Sequence, residues 1–333
     1  MKKTLIALAV LGSIAGVAQA QSNVTIYGVV DLGLAHENNG STSLTRMDDG
    51  GLNGSRLGFK GSEDLGGGLS AIFQFENGFT ADTGAQADAA KLFNRQSFIG
   101  LTGGFGTVKF GRQKNPLYAN VETFDPFGDS LAGDSANLFA FSGKRTDNLI
   151  SYGYGTNGFR GELQYGLGEV PGDASASRTV AGYIGYRKGP VDVVLTHQNI
   201  KNAAGTDSTK VTLLGGNYNF GVVKAFATYS WEKGVVFGSA ATTQRDQRDA
   251  LIGLTAPVGA AGTFLISYIR KTDRAITNDN SSQAAIGYIH NLSKRTALYT
   301  SYGELRNDGA AKIKVAAAGN TDKLFNIGIR HFF

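Results

Sequence analysis

The sequence predicts a closed antiparallel β-barrel that crosses a membrane, and three observations lead to this prediction. Apolar and polar side chains alternate with period two in segments that recur along the chain, as half-buried strands do. The connections between these segments are alternately short and long. After the first twenty residues, no stretch approaches the roughly 18 uninterrupted apolar residues of a membrane-spanning helix. Strands can cross hydrocarbon only as a closed barrel, because every backbone N–H and C=O must be paired within the protein.

The first twenty residues have the pattern of a secretory signal peptide. Two lysines follow Met1, an apolar run occupies residues 4–11, and the segment ends in Ala18-Gln19-Ala20. This is a charged region, a short apolar region and a small-residue cleavage site. We therefore expect residues 1–20 to be removed before Gln21 and residues 21–333 to form a single barrel domain.

The composition excludes several classes of protein. There is no cysteine, so neither disulfides nor thiol chemistry is available. The formal net charge of +5 becomes 5 − 2 = +3 when Lys2 and Lys3 leave with the signal peptide. Basic residues are scattered rather than clustered with stacking aromatic residues, so nucleic acid is not an expected partner. No metal-ligand spacing joins the four histidines, and no metal or other cofactor is expected.

Sixteen strands are predicted, each close to the ~10 residues that a tilted membrane-crossing strand needs. In the first strand, Val24, Ile26 and Leu34 share one face, while Tyr27 and Asp31 share the other. The predicted strands are 24–34, 55–63, 69–79, 91–102, 106–113, 147–154, 159–167, 178–187, 191–199, 210–220, 223–231, 247–256, 262–271, 281–291, 296–305 and 323–333.

The connections between these strands fall into two kinds. Every second connection is a tight turn, and the others are loops, of which 114–146 is the longest. Short periplasmic turns and long extracellular loops are typical of outer-membrane barrels, and an even strand number puts both chain ends in the periplasm. A barrel of roughly sixteen strands is too wide for its side chains to fill, so the sequence predicts a water-filled interior.

Basic side chains are predicted to face this interior. Arg56 and Lys60 share the face of the second strand opposite Leu57 and Phe59, and Lys109 lies on the inward face of the fifth strand. Rings of arginine or lysine lower the barrier for anions. The sequence therefore predicts a pore that admits small hydrophilic solutes and prefers anions to cations.

Five sequence blocks resemble the general trimeric porins of Gram-negative bacteria, in the branch common among β-proteobacteria and neisserial-type bacteria. They are VTIYG at 24–28, SRLGFKGSEDLGGGL at 55–69, NRQSFIGL at 94–101, FGTVKFGRQ at 105–113 and IGIRHFF at 327–333. The resemblance covers the mature chain from end to end. It implies a sixteen-stranded barrel, a homotrimer, and a long third loop folded into the pore.

The same resemblance implies which residues narrow the pore. In the family, acidic residues of the third loop face a ladder of arginines on the barrel wall, and the matching positions here are Arg56, Arg95 and Arg145. Strict alternation places Arg95 with Phe93 and Ile99, so its assignment depends on the resemblance. The predicted constriction comprises Arg56, Arg95, Arg145, Lys60, Lys109, Glu122, Asp125 and Asp129.

The chain end and the membrane setting predict the partners. Phe333 ends an apolar alternating strand, which resembles the signal read by the outer-membrane assembly machinery. The expected partners are two further copies of the chain in a homotrimer, outer-membrane lipids and lipopolysaccharide, the assembly machinery, and small hydrophilic solutes and ions.

Three other functions stay open from the sequence, one of them a structural or adhesive barrel with a plugged lumen and no conductance. A substrate-specific channel for an organic acid, phosphate or a sugar would share this architecture, with a denser arginine ladder for an oxyanion or a file of aromatic residues for a sugar. A barrel enzyme would need a histidine paired with serine or aspartate at one rim. His36 and His197 both lie near the outer rim in the predicted topology, but no catalytic residue is assigned.

Overall fold

The computed structural model describes residues 23–140, 143–235, 244–274 and 279–333. The expected signal peptide, 1–20, lies outside these residues. The described residues form one antiparallel sheet of seventeen strands. The strands are β1 Asn23–Asn38, β2 Ser43–Asp49, β3 Arg56–Gly66, β4 Leu69–Gly78, β5 Gln96–Gly103, β6 Gly106–Lys114, β7 Arg145–Thr156, β8 Phe159–Gly166, β9 Thr179–Lys188, β10 Val191–Lys201, β11 Ser208–Asn219, β12 Lys224–Val235, β13 Gln244–Val258, β14 Gly262–Asp273, β15 Ser281–Asn291, β16 Thr296–Asn307 and β17 Thr321–Phe332.

The sheet closes on itself as a barrel, as predicted. Along one edge, β1 pairs with β17 from Val29↔Phe332 to Asn38↔Lys323. Along its other edge, the first half of β1 pairs with β3 and the second half with β2. Because β2 and β3 follow one another along this edge, they fill a single position, and seventeen strands make a sixteen-position barrel. A closed barrel leaves no unpaired strand edge in the membrane.

The strand β2 and the helix inside the barrel differ from the prediction. Residues 35–54 are a loop in the predicted topology, but β1 continues to Asn38 and Ser43–Asp49 pairs back onto it. Helix α1, Pro116–Thr123, and two short 3-10 turns, Leu131–Gly133 and Ser135–Asn137, lie in the third loop, where no helix is predicted. Within the described parts of the chain, no helix is both long and apolar enough to span a membrane.

The outward faces of the strands are apolar. Leu163 and Ile184 are 68% and 69% exposed, and they alternate along their strands with less exposed residues that point inward. An apolar band of this kind on every strand is stable only against hydrocarbon. Tight turns such as 157–158 and 189–190 lie at one end of the barrel, and the long loops lie at the other.

The buried hydrophobic core lies inside the barrel, between the third loop and one side of the wall. Leu117, Val121 and Phe124 of the loop pack against wall residues such as Leu213 and Ile269. Part of the inward face is therefore apolar, although alternation alone predicts a polar lumen. The other side of the lumen stays open to solvent, and the polar side chains lie there.

Candidate functional site

The described part of the third loop, residues 115–140 and 143–144, is docked onto the inner wall through a trough of glycines. A Cβ atom built on Gly253 would lie 2.4 Å from Pro126 Cγ, and one on Gly303 would lie 2.5 Å from the Ala132 carbonyl oxygen. Gly215 and Gly287 meet the loop in the same way. Any side chain here would displace the loop, since real Cβ atoms do not approach other atoms so closely. The glycines therefore determine how far the loop stands from the wall.

Hydrogen bonds hold the loop in this trough. Asn120 Nδ2 donates to Thr196 Oγ1 at 2.9 Å, and Thr228 Oγ1 donates to the Phe124 carbonyl at 3.0 Å. The Ala132 amide donates to Ser301 Oγ at 2.9 Å. Helix α1 begins after Asn115, whose side chain accepts the Leu117 amide at 2.8 Å, with Pro116 in the first turn as helix starts favour. The loop is thus fixed at both its helix and its tip.

Three arginines lie across the lumen from the loop. Arg56 begins β3, Arg95 comes just before β5, and Arg145 begins β7. All three line one cavity of about 280 Å³ together with Tyr118 and Glu122 of the loop. Arg145 Nε donates to the Arg95 carbonyl at 3.2 Å. The structure therefore brings together the three arginines that the family resemblance indicates.

The carboxylate of Glu76, on the neighbouring strand β4, lies next to two of the arginines. Arg95 Nε lies 2.7 Å from Glu76 Oε1, and Arg56 Nη1 lies 4.0 Å from the same oxygen. Tyr27 Oη donates to Glu76 Oε2 at 2.9 Å. Glu76 is absent from the predicted site, although its inward position beside Gln74 on an alternating strand could have indicated it. It positions the arginines, and its single charge offsets only part of theirs.

The predicted acidic residues have local partners. Glu122 lines the cavity, and its Oε2 lies 2.6 Å from Lys114 Nζ. Asp129 has a buried side chain, with its Oδ2 2.7 Å from Lys144 Nζ. Asp125 lies inside the loop, where it accepts the Phe127 amide at 2.9 Å and the Asp129 amide at 3.1 Å. These three loop carboxylates are therefore engaged by Lys114 at the end of β6, by Lys144 of the loop and by backbone amides of the loop.

Tyr118 of α1 lies among cations and is absent from the predicted site. Its ring centroid is 4.9 Å from Lys144 Nζ, 5.4 Å from Lys114 Nζ and 5.9 Å from the Arg145 guanidinium carbon. Such distances are within cation–π range. Burial raises the pKa of its hydroxyl well above the ordinary value. Tyr118 joins the loop to the arginine wall, and a helix that the sequence pattern does not predict places it there.

Lys60 and Lys109 lie in the lumen away from the arginine cavity. Lys60 Nζ lies 5.2 Å from the Tyr27 ring centroid. It is four residues from Arg56, or roughly 13 Å along the strand toward the periplasm. Lys109 Nζ lies 3.8 Å from Glu162 Oε2, in a second cavity of about 320 Å³ that Arg160 and Arg187 also line. Basic side chains thus continue toward the periplasmic end.

Phe333 closes the barrel at its periplasmic end. Its amide donates to the Gly28 carbonyl at 3.1 Å, and the Gly28 amide donates to the Phe333 carbonyl at 3.2 Å. A Cβ on Gly28 would lie 2.1 Å from the Phe333 ring, so the glycine makes room for it. These contacts tie the chain end to the first strand.

Lowering the pH is expected to strengthen any preference of the pore for anions. Burial raises the pKa of Asp125 to about 6, and burial with the nearby charge of Asp129 raises the pKa of Asp134. Both groups gain protons as the pH falls from about 8 to about 5, while arginines stay charged, so the lumen becomes more positive. The chloride-to-potassium permeability ratio, measured from reversal potentials, should rise over this range.

The isosteric Asp134→Asn variant separates the contribution of Asp134 to this pH dependence from the titration of other groups. Asparagine keeps an oxygen that can accept the Ala136 amide, as Asp134 Oδ1 does at 2.8 Å. The variant should show a smaller pH dependence and, at about pH 8, a permeability ratio closer to that of the parent protein at low pH. A pH dependence equal to that of the parent would remove Asp134 from this role.

The chain forms a closed β-barrel whose constriction is lined by charged side chains and is open to solvent. These features place it in the class of channel-forming outer-membrane barrels. The chain belongs to the Gram-negative porin family, whose model matches residues 7–310. It is therefore an outer-membrane porin, a channel rather than an enzyme. His36 and His197, the two histidines considered for a barrel enzyme, each contact a threonine on the outward face.

Relatives and solved structures agree with this assignment. The chain is 36% identical to outer membrane porin protein 32 of Delftia acidovorans, with both chains covered completely. It is 29% identical to a major outer membrane protein P.IB of Neisseria meningitidis, again with complete coverage. Among solved structures, the anion-selective porin from Comamonas acidovorans superposes with a TM-score of 0.82 at 32% identity, covering 94% of this chain and 100% of that one.

Proposed function

We propose that this porin is a general diffusion channel that prefers anions. The observation that supports the preference is the cluster of three wall arginines, Arg56, Arg95 and Arg145, in the constriction. Among the described residues, Glu76 is the carboxylate within ion-pair distance of Arg56 and Arg95. Of the other carboxylates that line the cavity, Glu122 is paired with Lys114, Asp129 with Lys144 and Asp48 with Arg46. Clustered arginines in a constriction lower the barrier for anions. The solved relative at 32% identity is described as anion-selective, which is consistent with this proposal.

Single-channel recording in planar bilayers tests this proposal. With a potassium chloride gradient across the bilayer, the protein should open ohmic steps, and the reversal potential should have the sign of a chloride-preferring pore. A reversal potential of the opposite sign would contradict the anion preference while leaving the channel function intact.

A substrate-specific channel for an oxyanion is the second candidate. The three clustered arginines beside Lys144 and Tyr118 form the kind of site that binds carboxylate or phosphate. A specific channel would show conductance that saturates with the concentration of phosphate or of a small carboxylate. A general diffusion channel would show conductance that rises in proportion to ion concentration, and we expect this second behaviour.

The remaining proposals concern assembly. Signal cleavage before Gln21, a homotrimer, recognition of Phe333 by the assembly machinery and contact with lipopolysaccharide follow from the sequence pattern and the family. The outward positions of β1, which include Val24, Ile26 and Leu34, are exposed and apolar, as a subunit interface in a membrane would be. A porin of the same fold from Vibrio cholerae is described as a trimer. Native mass spectrometry in detergent should give three times the mass of residues 21–333.

A further inference from the structure

The connection between β2 and β3 contains more residues than the barrel wall requires. Strand β2 ends where Asp49 pairs with Leu32 of β1, and β3 begins where Arg56 pairs with Val29. Two residues of β1 separate these positions, roughly 10 Å along the strand, whereas six residues, 50–55, join β2 to β3. The extra residues leave the wall, and most of them line the constriction cavity. We call residues 50–55 the inner arch.

The inner arch is wrapped around one buried residue, Asp31 of β1. Asp31 is fully buried, and its Oδ2 accepts the Leu52 amide at 3.0 Å and the Asn53 amide at 2.7 Å. The Asp31 carbonyl accepts the Gly50 amide at 3.0 Å, and the Asp31 amide donates to Ser55 Oγ at 3.1 Å. Both ends and the middle of the arch are therefore bonded to the same residue.

Tyr299 of β16 binds the other oxygen of this carboxylate. Its hydroxyl donates to Asp31 Oδ1 at 2.6 Å. A Cβ atom on Gly51 would lie 2.6 Å from that hydroxyl oxygen, so the glycine lets the arch approach the tyrosine. Arg330 Nη1 of β17 donates to Asn53 Oδ1 at 2.9 Å. The position of the inner arch is thus determined by β1, β16 and β17 together.

The inner arch also supports the tip of the third loop. The Leu131 amide donates to the Gly51 carbonyl at 2.8 Å, and Leu52 belongs to the same buried cluster as Leu131 and Phe127. Leu131 and Asp129 have φ angles of 57° and 58°, in the left-handed region that residues other than glycine rarely adopt. Such a backbone persists only where its surroundings enforce it, and the arch provides a hydrogen bond there. The arch and the loop tip therefore hold each other in place.

We propose that the inner arch determines the largest uncharged solute that passes through the pore, with Asp31 and Tyr299 as its positioning residues. The cavity of about 280 Å³ lies between the arch, the third loop and the three wall arginines. The arginines contribute charge, whereas the arch has no ionisable side chain and only occupies cross-section. The diameter of a pore limits the solutes that enter it. This proposal deepens the general diffusion function proposed above and rests on it.

Liposome swelling tests the proposal by comparing the uptake of raffinose, a trisaccharide, with that of arabinose, a pentose. In Tyr299→Phe the carboxylate loses one donor and the arch loosens, so the raffinose-to-arabinose rate ratio should rise roughly twofold. In Asp31→Asn it should rise roughly fivefold, because asparagine offers one acceptor oxygen where aspartate offers two. The chloride-to-potassium permeability ratio of Tyr299→Phe should stay parental, since no charge changes. A parental sugar ratio in both variants would overturn the proposal.

The parent protein and a matched variant separate the possible failures. If the parent protein admitted no arabinose, general diffusion itself would be contradicted. Tyr302→Phe removes another tyrosine hydroxyl of β16 that donates to a carboxylate, that of Glu304 at 2.8 Å, but on the outward face. This control should keep the parental sugar ratio. An equal rise in Tyr299→Phe and Tyr302→Phe would mean that the barrel loosens generally, and the arch would lose its assigned role.

A thiol placed on the arch tests the proposal without breaking its contacts with Asp31. A Cβ atom on Gly54 would lie 3.2 Å from Arg95 Nη1, so a side chain there reaches the constriction. The protein has no cysteine, and Gly54→Cys therefore provides a single site for labelling. Labelling with the uncharged reagent benzyl methanethiosulfonate should lower the raffinose-to-arabinose ratio, the opposite of the change in Tyr299→Phe. A ratio unaffected by complete labelling would refute the proposal.

Discussion

Replacing Arg56 with alanine is expected to lower the chloride-to-potassium permeability ratio about fivefold. The Arg56 guanidinium lines the constriction beside Arg95 and Arg145, with one carboxylate 4.0 Å away. A unit charge a few ångströms from an ion contributes on the order of 4 kcal/mol at an effective dielectric of about 20. Water and Glu76 screen most of this, and a remaining difference of roughly 1 kcal/mol corresponds to about fivefold. Reversal potentials in planar bilayers measure the ratio.

Two further variants test whether the permeability ratio depends on the position of the Arg56 charge in the constriction or only on the net charge of the protein. Arg56→Lys keeps the charge and should retain most of the parent ratio. Arg306→Ala removes a charge of the same sign from the outer surface, across the barrel wall from the lumen, and should leave the ratio unchanged. If Arg306→Ala changed the ratio as much as Arg56→Ala, net charge and not the constriction would determine the selectivity.

Replacing Gly303 with valine is expected to reduce the single-channel conductance by about twofold or more. The new Cβ would lie 2.5 Å from the Ala132 carbonyl oxygen, a backbone atom that a side-chain rotation cannot move. The tip of the third loop must therefore shift away from the wall, and the Ala132–Ser301 hydrogen bond must lengthen or break. Because the loop stands between the wall and the arginines, this shift narrows the constriction.

Gly153→Val is the matched control for this variant. Gly153 lies on the inward face of β7, and a Cβ there would have no neighbour within 3.7 Å. We expect nearly parental conductance, since the added side chain fits into open space at the periplasmic mouth. A rise in the conductance of Gly303→Val would mean that the loop leaves the lumen, contrary to the docking described above.

The prediction of the strands was largely confirmed because local sequence and environment agree along most of the wall. Strand β15, Ser281–Asn291, has the predicted bounds, and β4, Leu69–Gly78, differs by one residue. Every such residue faces either hydrocarbon or the lumen, so period two is imposed on the sequence directly. The predicted strand 91–102 was wrong at its start, since β5 begins at Gln96.

The later start of β5 also explains why alternation gave the wrong face for the Arg95 side chain. Because Arg95 lies before the strand, the alternation of Phe93 and Ile99 does not determine where its side chain points. Its direction is determined by Glu76, whose carbonyl accepts the Arg95 amide at 3.1 Å and whose carboxylate lies 2.7 Å from Arg95 Nε. No local pattern could have indicated this contact between distant residues, whereas the family resemblance did place Arg95 at the constriction.

By itself, the sequence determined that this chain is a barrel with an apolar outer face and basic residues such as Arg56 in its lumen, because alternation and turn spacing are local properties. Only the tertiary structure decided the form of the constriction. The glycines that receive the third loop lie on β11, β13, β15 and β16, far from the loop in the chain. Helix α1 places Tyr118 beside Arg145, and the folded loop brings Glu122 to Lys114 and Asp129 to Lys144. Their contacts depend on how the loop fills the barrel, and packing across such distances leaves no period in the sequence.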